Sequence, residues 1–345
     1  MLNSTGTVAL NDLNNDGFPD LFVGSRVIPS RYPEIPKSYL LINNGKGLFQ
    51  DKTDQWSKEL RSLGLITDAE WVDLNGNGNA ELIVTGEWLP LTVFENDGQN
   101  LHNVSADYFK QEYSGWWNSL HISDLNSDGR PDIIVGNQGL NSQVKVSPEE
   151  PAEMHYKDFD NNGAIDPILS FYIQGKTYPF LTRDELLDQI SMIRTRFTDY
   201  ETYAEAGLEN IFSKEELENA GYFKATLLET SLFLNNKEGF QKTTLPSEAQ
   251  ISPVFAIESL DINKDGHLDL ILTGNISNAR LRFGKYDANH GLVFLGDGKG
   301  SFEYLPQRFS GLDLKGDVRS ILAIDDLLLF GMNQKTIIAY QAGQN

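Results

Sequence analysis

Five times along the chain the same nine-residue pattern returns: Asp-x-Asn/Asp-x-Asp/Asn-Gly-x-x-Asp/Glu. The copies run from Asp12 to Asp20, Asp73 to Glu81, Asp124 to Asp132, Asp158 to Asp166 and Asp261 to Asp269. A chain that repeats one short unit at such intervals folds as an assembly of similar supersecondary units. The five segments hold 14 of the 49 acidic residues. Asp, Asn and Gly also make ordinary turns, so it is the fivefold register of the acids that points to metal.

The spacing suits calcium, which takes roughly 6–8 oxygens at about 2.3–2.6 Å from carboxylates, amides and carbonyls. In the first copy, Asp12, Asn14 and Asp16 place side-chain oxygens around a turn closed by Gly17. The Phe18 carbonyl and Asp20 complete the expected shell. The equivalent sets are Asp73, Asn75, Asn77, Asn79 and Glu81; Asp124, Asn126, Asp128, Arg130 and Asp132; Asp158, Asp160, Asn162, Ala164 and Asp166; and Asp261, Asn263, Asp265, His267 and Asp269. The seventh residue of each offers its carbonyl. Up to five Ca2+ are therefore expected. Magnesium prefers a stricter octahedron, and zinc lacks the Cys and His ligands it favours.

An EF-hand begins in the same way but needs a glutamate at position twelve and flanking helices. Here the twelfth residues are Val23, Val84, Val135, Leu169 and Leu272. Apolar runs such as Leu82-Ile83-Val84 and Ile133-Ile134-Val135 follow the loops and read as strands covered on both faces. A second element, a hairpin with an Asn/Gly turn, recurs at Tyr39 to Phe49, Val93 to Leu101, Phe233 to Phe240 and Phe294 to Phe302. Two strands around a loop and two around a hairpin make a four-stranded unit of propeller-blade size.

These units resemble the FG-GAP, or VCBS, repeats of integrin-α-like β-propellers. Gly24 to Pro33, Gly136 to Ser142 and Gly284 to Ala288 are similar to the C-terminal part of bacterial surface proteins related to cartilage acidic protein. The resemblance implies bound calcium, an extracellular or envelope location, and adhesion or ligand binding without established catalysis. The expected fold is an all-β, calcium-binding β-propeller over residues 1–345, with six blades, or seven if one blade is degenerate or lies partly outside these residues.

Two stretches depart from the blade pattern. Around 182–223 the spacing predicts a helical insertion, with capping boxes at Thr182/Glu185 and Ser213/Glu216 and an apolar stripe of Leu186, Leu187, Ile190, Ile193 and Phe197. Near the end, Ile321 to Gly331 reads as a blade whose loop has been deleted. The opening residues carry no signal-peptide pattern and read as a cut within a larger protein. No apolar run is long enough to span a bilayer. A net charge of −21 argues against nucleic acid as a partner.

If the acidic loops and Gly-rich hairpins share one face, the connections between second and third strands emerge on the other. That face is expected to bind an extracellular glycan or protein through Arg26, Arg31, Tyr32, Trp88, Asn137, Asn141, Arg280, Tyr286 and Asp287, with Arg282 and His290 nearby. The blander reading is that these residues plug the channel and pin loops. Two other functions stay open: a polysaccharide lyase or glycosidase-like propeller, and a purely structural domain of a larger surface protein. The five histidines form no close metal pair, and no nucleophile elbow or Walker loop is present.

Overall fold

The computed structural model describes residues 3–341 and is built almost wholly of antiparallel strands, in six sheets. The first comprises Ser4–Asn11, Asp20–Val27, Tyr39–Asn43 and Phe49–Asp51. The second comprises Leu65–Val72, Glu81–Pro90, Thr92–Asn96 and Leu101–Asn103, with Ser114–Trp116 added beside Glu81–Pro90. The third begins with Ser119–Ser123 and Asp132–Gly136 and is completed by Ser231–Asn236 and Gly239–Thr243. The fourth is Val254–Leu260, Asp269–Gly274, Leu292–Gly296 and Phe302–Leu305. The fifth has three strands, Val318–Ile324, Leu327–Met332 and Ile338–Gln341.

These five sheets stack in sequence order, each sharing a core with the next. Leu82 and Val84 of the second sheet join Phe22 and Leu40 of the first, while Ile83 between them joins Ile133 and Val135 of the third. Ile134 then packs with Leu270 and Leu272 of the fourth, and Ile271 with Leu328 and Phe330 of the fifth. Alternation along each second strand thus sends side chains to both neighbours, which is why these runs are apolar throughout. Among the described residues, no core joins the fifth sheet back to the first. The molecule is an arc of radial sheets.

The sixth sheet interrupts the third. Between Gly136 and Ser231 the chain forms Ala152–Lys157, Asp166–Ile173, Lys176–Pro179 and Gly221–Ala225, in the spatial order third, second, first, fourth. The Asp158 loop, which the blade count assigns to the ring, joins the two central strands of this inserted sheet. The six-blade expectation therefore meets five sheets in the arc and one lying outside it. A nine-residue motif encodes a strand–loop–strand unit but not the sheet to which that unit belongs.

Short helices follow within the insertion, among them Arg183–Gln189 and Lys214–Glu218, with capping boxes at Thr182 and Ser213. Leu186, Leu187, Ile190, Ile193 and Phe197 are buried, yet they span an α-helix and a 3-10 turn. They pack with Phe159 of the fourth acidic loop and with Ile168, forming a core separate from the arc.

Candidate metal centres and ligand face

All five acidic loops adopt one hydrogen-bonded geometry. The first carboxylate accepts from the N–H groups of the fifth and sixth residues: Asp12 from Asp16 (3.1 Å) and Gly17 (2.8 Å), Asp158 from Asn162 (2.9 Å) and Gly163 (2.8 Å). Asp73, Asp124 and Asp261 do the same. The third side chain, Asn14, Asn75, Asn126, Asp160 or Asn263, accepts from the fifth N–H. The fifth, Asp16, Asn77, Asp128, Asn162 or Asp265, accepts from the N–H of Phe18, Asn79, Arg130, Ala164 or His267. The sixth residue, always Gly, has φ between +81° and +90°, a conformation that disfavours a side chain.

The backbone thereby gathers oxygen donors around each turn. In the first loop Asn14 Nδ2 lies 3.0 Å from Asp16 Oδ2, and in the fifth Asn263 Nδ2 lies 2.9 Å from Asp265 Oδ2. In the fourth, Asp158, Asp160 and Asp166 bring one oxygen each within 4.8 Å of one another. Carboxylate and amide oxygens with no thiol fit a hard divalent cation.

The ninth residue has a second role that the pattern alone did not reveal. Asp20 is fully buried, and its two oxygens accept from Leu13 N–H (3.0 Å) and Asn43 N–H (2.7 Å). Asp132 accepts from Leu125 (2.9 Å) and Asn235 (2.8 Å), and Asp269 from Ile262 (2.9 Å) and Gly296 (2.9 Å). Each carboxylate thus ties its acidic loop to the hairpin of the same sheet, fixing both on one face. Glu81 accepts from Leu74 N–H (2.7 Å), and Asp166 from Phe159 N–H (3.0 Å). Burial pushes Asp20, Glu81, Asp166 and Asp269 above the usual carboxylate range, and Asp132 to about 6.

Hairpin asparagines add a further link. Asn96 Nδ2 donates to the Leu13 carbonyl of the preceding sheet's loop (3.5 Å), and Asn235 Nδ2 to the Leu74 carbonyl (3.2 Å). Their signal was present in the sequence, as an Asn two residues after Phe in both hairpins.

The fourth loop sits elsewhere. Leu65 and Trp88, at the ends of the second sheet's strands remote from its acidic loop, pack with Ala152 and Met154 of the inserted sheet. The inserted sheet therefore lies against the face opposite the other four loops.

On that face Arg26, Tyr32 and Trp88 line a cavity of about 280 Å³ with Glu87, Trp116, Gln138 and Phe255, and Met154 and Leu169 of the inserted sheet also border it. Arg26 pairs with Glu87, and Trp88 Nε1 donates to Tyr32 Oη at 3.1 Å. Trp116 stands edge-on to Trp88, with ring centroids 5.2 Å apart, and its buried Nε1 has no hydrogen-bond partner among the described residues. Larger open depressions of about 470 and 550 Å³ lie elsewhere, but they contain none of these expected ligand residues.

The other expected ligand residues do not converge there. Asn137 is fully buried, with Nδ2 donating to the Leu227 carbonyl at 2.9 Å. Asn141 Nδ2 donates to the Ile251 carbonyl (3.0 Å), Arg31 pairs with Glu34, and Arg280 reaches Glu185 in the insertion (3.1 Å). Tyr286 makes a backbone bridge with Ile276, and Asp287 is exposed. Asn137, Asn141 and Arg280 pin loops and the insertion because their polar groups are already engaged.

An FG-GAP-like repeat model matches residues 12–84 and 73–135, each match running from one acidic loop through the strand after the next. The chain thus carries FG-GAP-like repeats over its first two sheets and into the third. No curated protein matches the chain. Among solved structures, the V. cholerae biofilm matrix protein Bap1 is similar at 10% identity with a TM-score of 0.34, over 99% of this chain and 69% of that one. No helix among the described residues is long and apolar enough to cross a membrane.

Proposed function

We propose that the chain is a non-catalytic, calcium-stabilised propeller segment of an extracellular or cell-surface protein, binding a glycan or protein ligand through the face opposite its arc loops. The observation that carries this reading is the one hydrogen-bond network common to all five acidic loops. Side-chain oxygens at the first, third, fifth and ninth positions would hold each ion, with the seventh carbonyl. Bound calcium would supply positive charge to carboxylates that otherwise repel one another, and five ions would take the formal charge from −21 to −11.

The cavity supports binding over turnover. Its aromatic walls, one guanidinium and the unpaired Trp116 N–H suit a polyhydroxylated or peptide ligand. Glycoside hydrolysis ordinarily needs two carboxyl groups flanking the scissile bond, whereas among the described residues Glu87 is the one carboxylate lining this cavity, and it is already paired with Arg26.

Thermal melts test the calcium half. A site filled at 100 times its dissociation constant adds about 2.7 kcal/mol, so chelator should lower Tm by several degrees. Calcium should restore it and equal magnesium should not. An unchanged Tm in chelator refutes the metal assignment. Binding to immobilised glycans and envelope proteins tests the other half. Arg26→Ala should weaken binding at least tenfold, while Asp287→Ala leaves it intact. Release of cleaved sugar would overturn the non-catalytic reading.

A further inference from the structure

The polar groups around the Arg26–Trp88 cavity fall into two sets, which differ in what they still lack. One set is satisfied within the protein. Arg26 pairs with Glu87, and Trp88 Nε1 donates to Tyr32 Oη at 3.1 Å. Arg26 and Glu87 are the one basic and the one acidic residue of the lining among the described residues, so the walls carry no uncompensated charge.

The other set is held in place but unengaged. Trp116 Nε1 is buried without a hydrogen-bond partner among the described residues. The side-chain amides of Asn118 and Gln138 also lack one there, although backbone bonds fix both positions. Asn118 N–H donates to the Gly136 carbonyl (2.8 Å), and Gln138 N–H to Asn137 Oδ1 (2.8 Å). Their neighbours Trp117 and Asn137 are fully buried and donate to the Leu89 and Leu227 carbonyls. The free amides therefore stand on a rigid frame, as a preformed site requires.

An indole N–H only donates, whereas a side-chain amide both donates and accepts. Beside them lies apolar ring surface from Trp88, Trp116 and Phe255. That mixture suits a ligand whose hydroxyl groups alternate with apolar C–H faces. A charged ligand is disfavoured, because Arg26 and Glu87 already neutralise each other and a desolvated ion without a partner is costly. A peptide could enter so small a space only by an end, which brings a charge. At about 280 Å³ the cavity lies just below the usual range for ligand pockets, roughly 300–1,000 Å³, and holds one ring rather than a chain.

We infer, on the basis of the ligand-face reading proposed above, that this cavity takes a single neutral pyranose ring as the terminal unit of a glycan. Trp116 Nε1 and the Asn118 and Gln138 amides bond its hydroxyls. Because the Trp116 N–H is unpaired in the free protein, phenylalanine there keeps an aromatic ring, removes the donor and touches binding while sparing the fold.

Calorimetric titration of residues 1–345 in calcium tests this with the methyl pyranosides of glucose, galactose, mannose and N-acetylglucosamine. Each is taken to about 50 mM, where a millimolar Kd saturates, beside glucuronate, galacturonate and trialanine. At least one neutral glycoside should bind, and lengthening it to a trisaccharide should gain less than threefold. Trp116→Phe and, independently, Gln138→Ala should each weaken it at least fivefold with Tm unchanged. No binding by any of the four, tighter binding of a uronate or the peptide, a larger gain with the trisaccharide, or affinity that withstands either variant overturns the inference. A lowered Tm in Trp116→Phe would assign its N–H to the fold and also overturn it. A uronate or peptide that binds and is lost in Arg26→Ala would leave the ligand-face reading standing without the neutral ring. Binding of all these compounds that ignores Arg26→Ala would sink both.

Discussion

The Asp124 and Asp158 loops share a motif and an internal hydrogen-bond pattern, yet their ninth residues face different tasks. In the arc, Asp132 accepts one amide from its own loop and one from the hairpin at Asn235, 103 residues away in sequence. In the inserted sheet Asp166 accepts only the Phe159 amide from the backbone, and its carboxylate converges with Asp158 and Asp160. One motif therefore serves as a clamp between strands in one place and as a tighter cluster of charge in the other. The sheet around a loop decides how much of its last carboxylate is left for a cation.

Alanine at these two positions should separate the tasks when calcium is absent. Asp132→Ala strands two buried amides, and each unsatisfied group costs about 1–3 kcal/mol. Urea unfolding in chelator should show a loss of about 3–5 kcal/mol. Either change relieves repulsion within its own loop, but Asp166→Ala strands only one amide, so its loss should be about 1–2 kcal/mol. Equal losses in chelator would break the contrast.

Much of this contrast could be read from the sequence, but not its location. The strands after the loops were legible because both of their faces are apolar, as in Leu82-Ile83-Val84. The capping residues Thr182 and Ser213 were legible because a cap is a local device. The insertion was not, since Asp132–Gly136 finds its hairpin partner only at Ser231–Asn236 and nothing local records that separation. Asn137 and Arg280 looked like ligand groups for a related reason. An amide or guanidinium in a loop reads the same whether it faces solvent or a backbone carbonyl.

A third carboxylate extends the comparison to a group with neither clamp nor cluster. Glu70 lies on the inner strand of the second sheet, where burial, then the charges of Asp68 and Glu258, push it up to about 7. Nearby on the third and fourth inner strands, His121 is held neutral by burial, at about 4, and bonds Ser259. A carboxyl whose folded pKa is raised favours folding while protonated, and stability falls as pH climbs from its unfolded value near 4.5 to about 7. Glu70→Gln should therefore be neutral below pH 4.5 and stabilising by about 3 kcal/mol above pH 7. Urea midpoints across pH 4–8 at fixed calcium measure it. A stabilisation equal at both ends would mean that the gain comes from packing.

The smallest expected effect separates the second loop from the fourth. Asp73, Asn75, Asn77 and Glu81 give the second loop a formal charge of −2, against −3 for Asp158, Asp160, Asn162 and Asp166. Affinity in such loops follows ligand charge and rigidity, so the Asp73 loop should fill last in a calcium titration and the Asp158 loop first. Rigidity adds to charge. Position four is left-handed in all five loops, at Asn15, Gly76, Ser127, Asn161 and Lys264. Gly76 loses the most backbone freedom on ordering, and a Cβ there would meet nothing within 4 Å. Asparagine tolerates this conformation, so Gly76→Asn should stabilise the chain by about 0.5 kcal/mol through the unfolded state and move the second loop's midpoint to lower calcium. A variant that gains stability without a shift in that midpoint would show that charge alone ranks the sites.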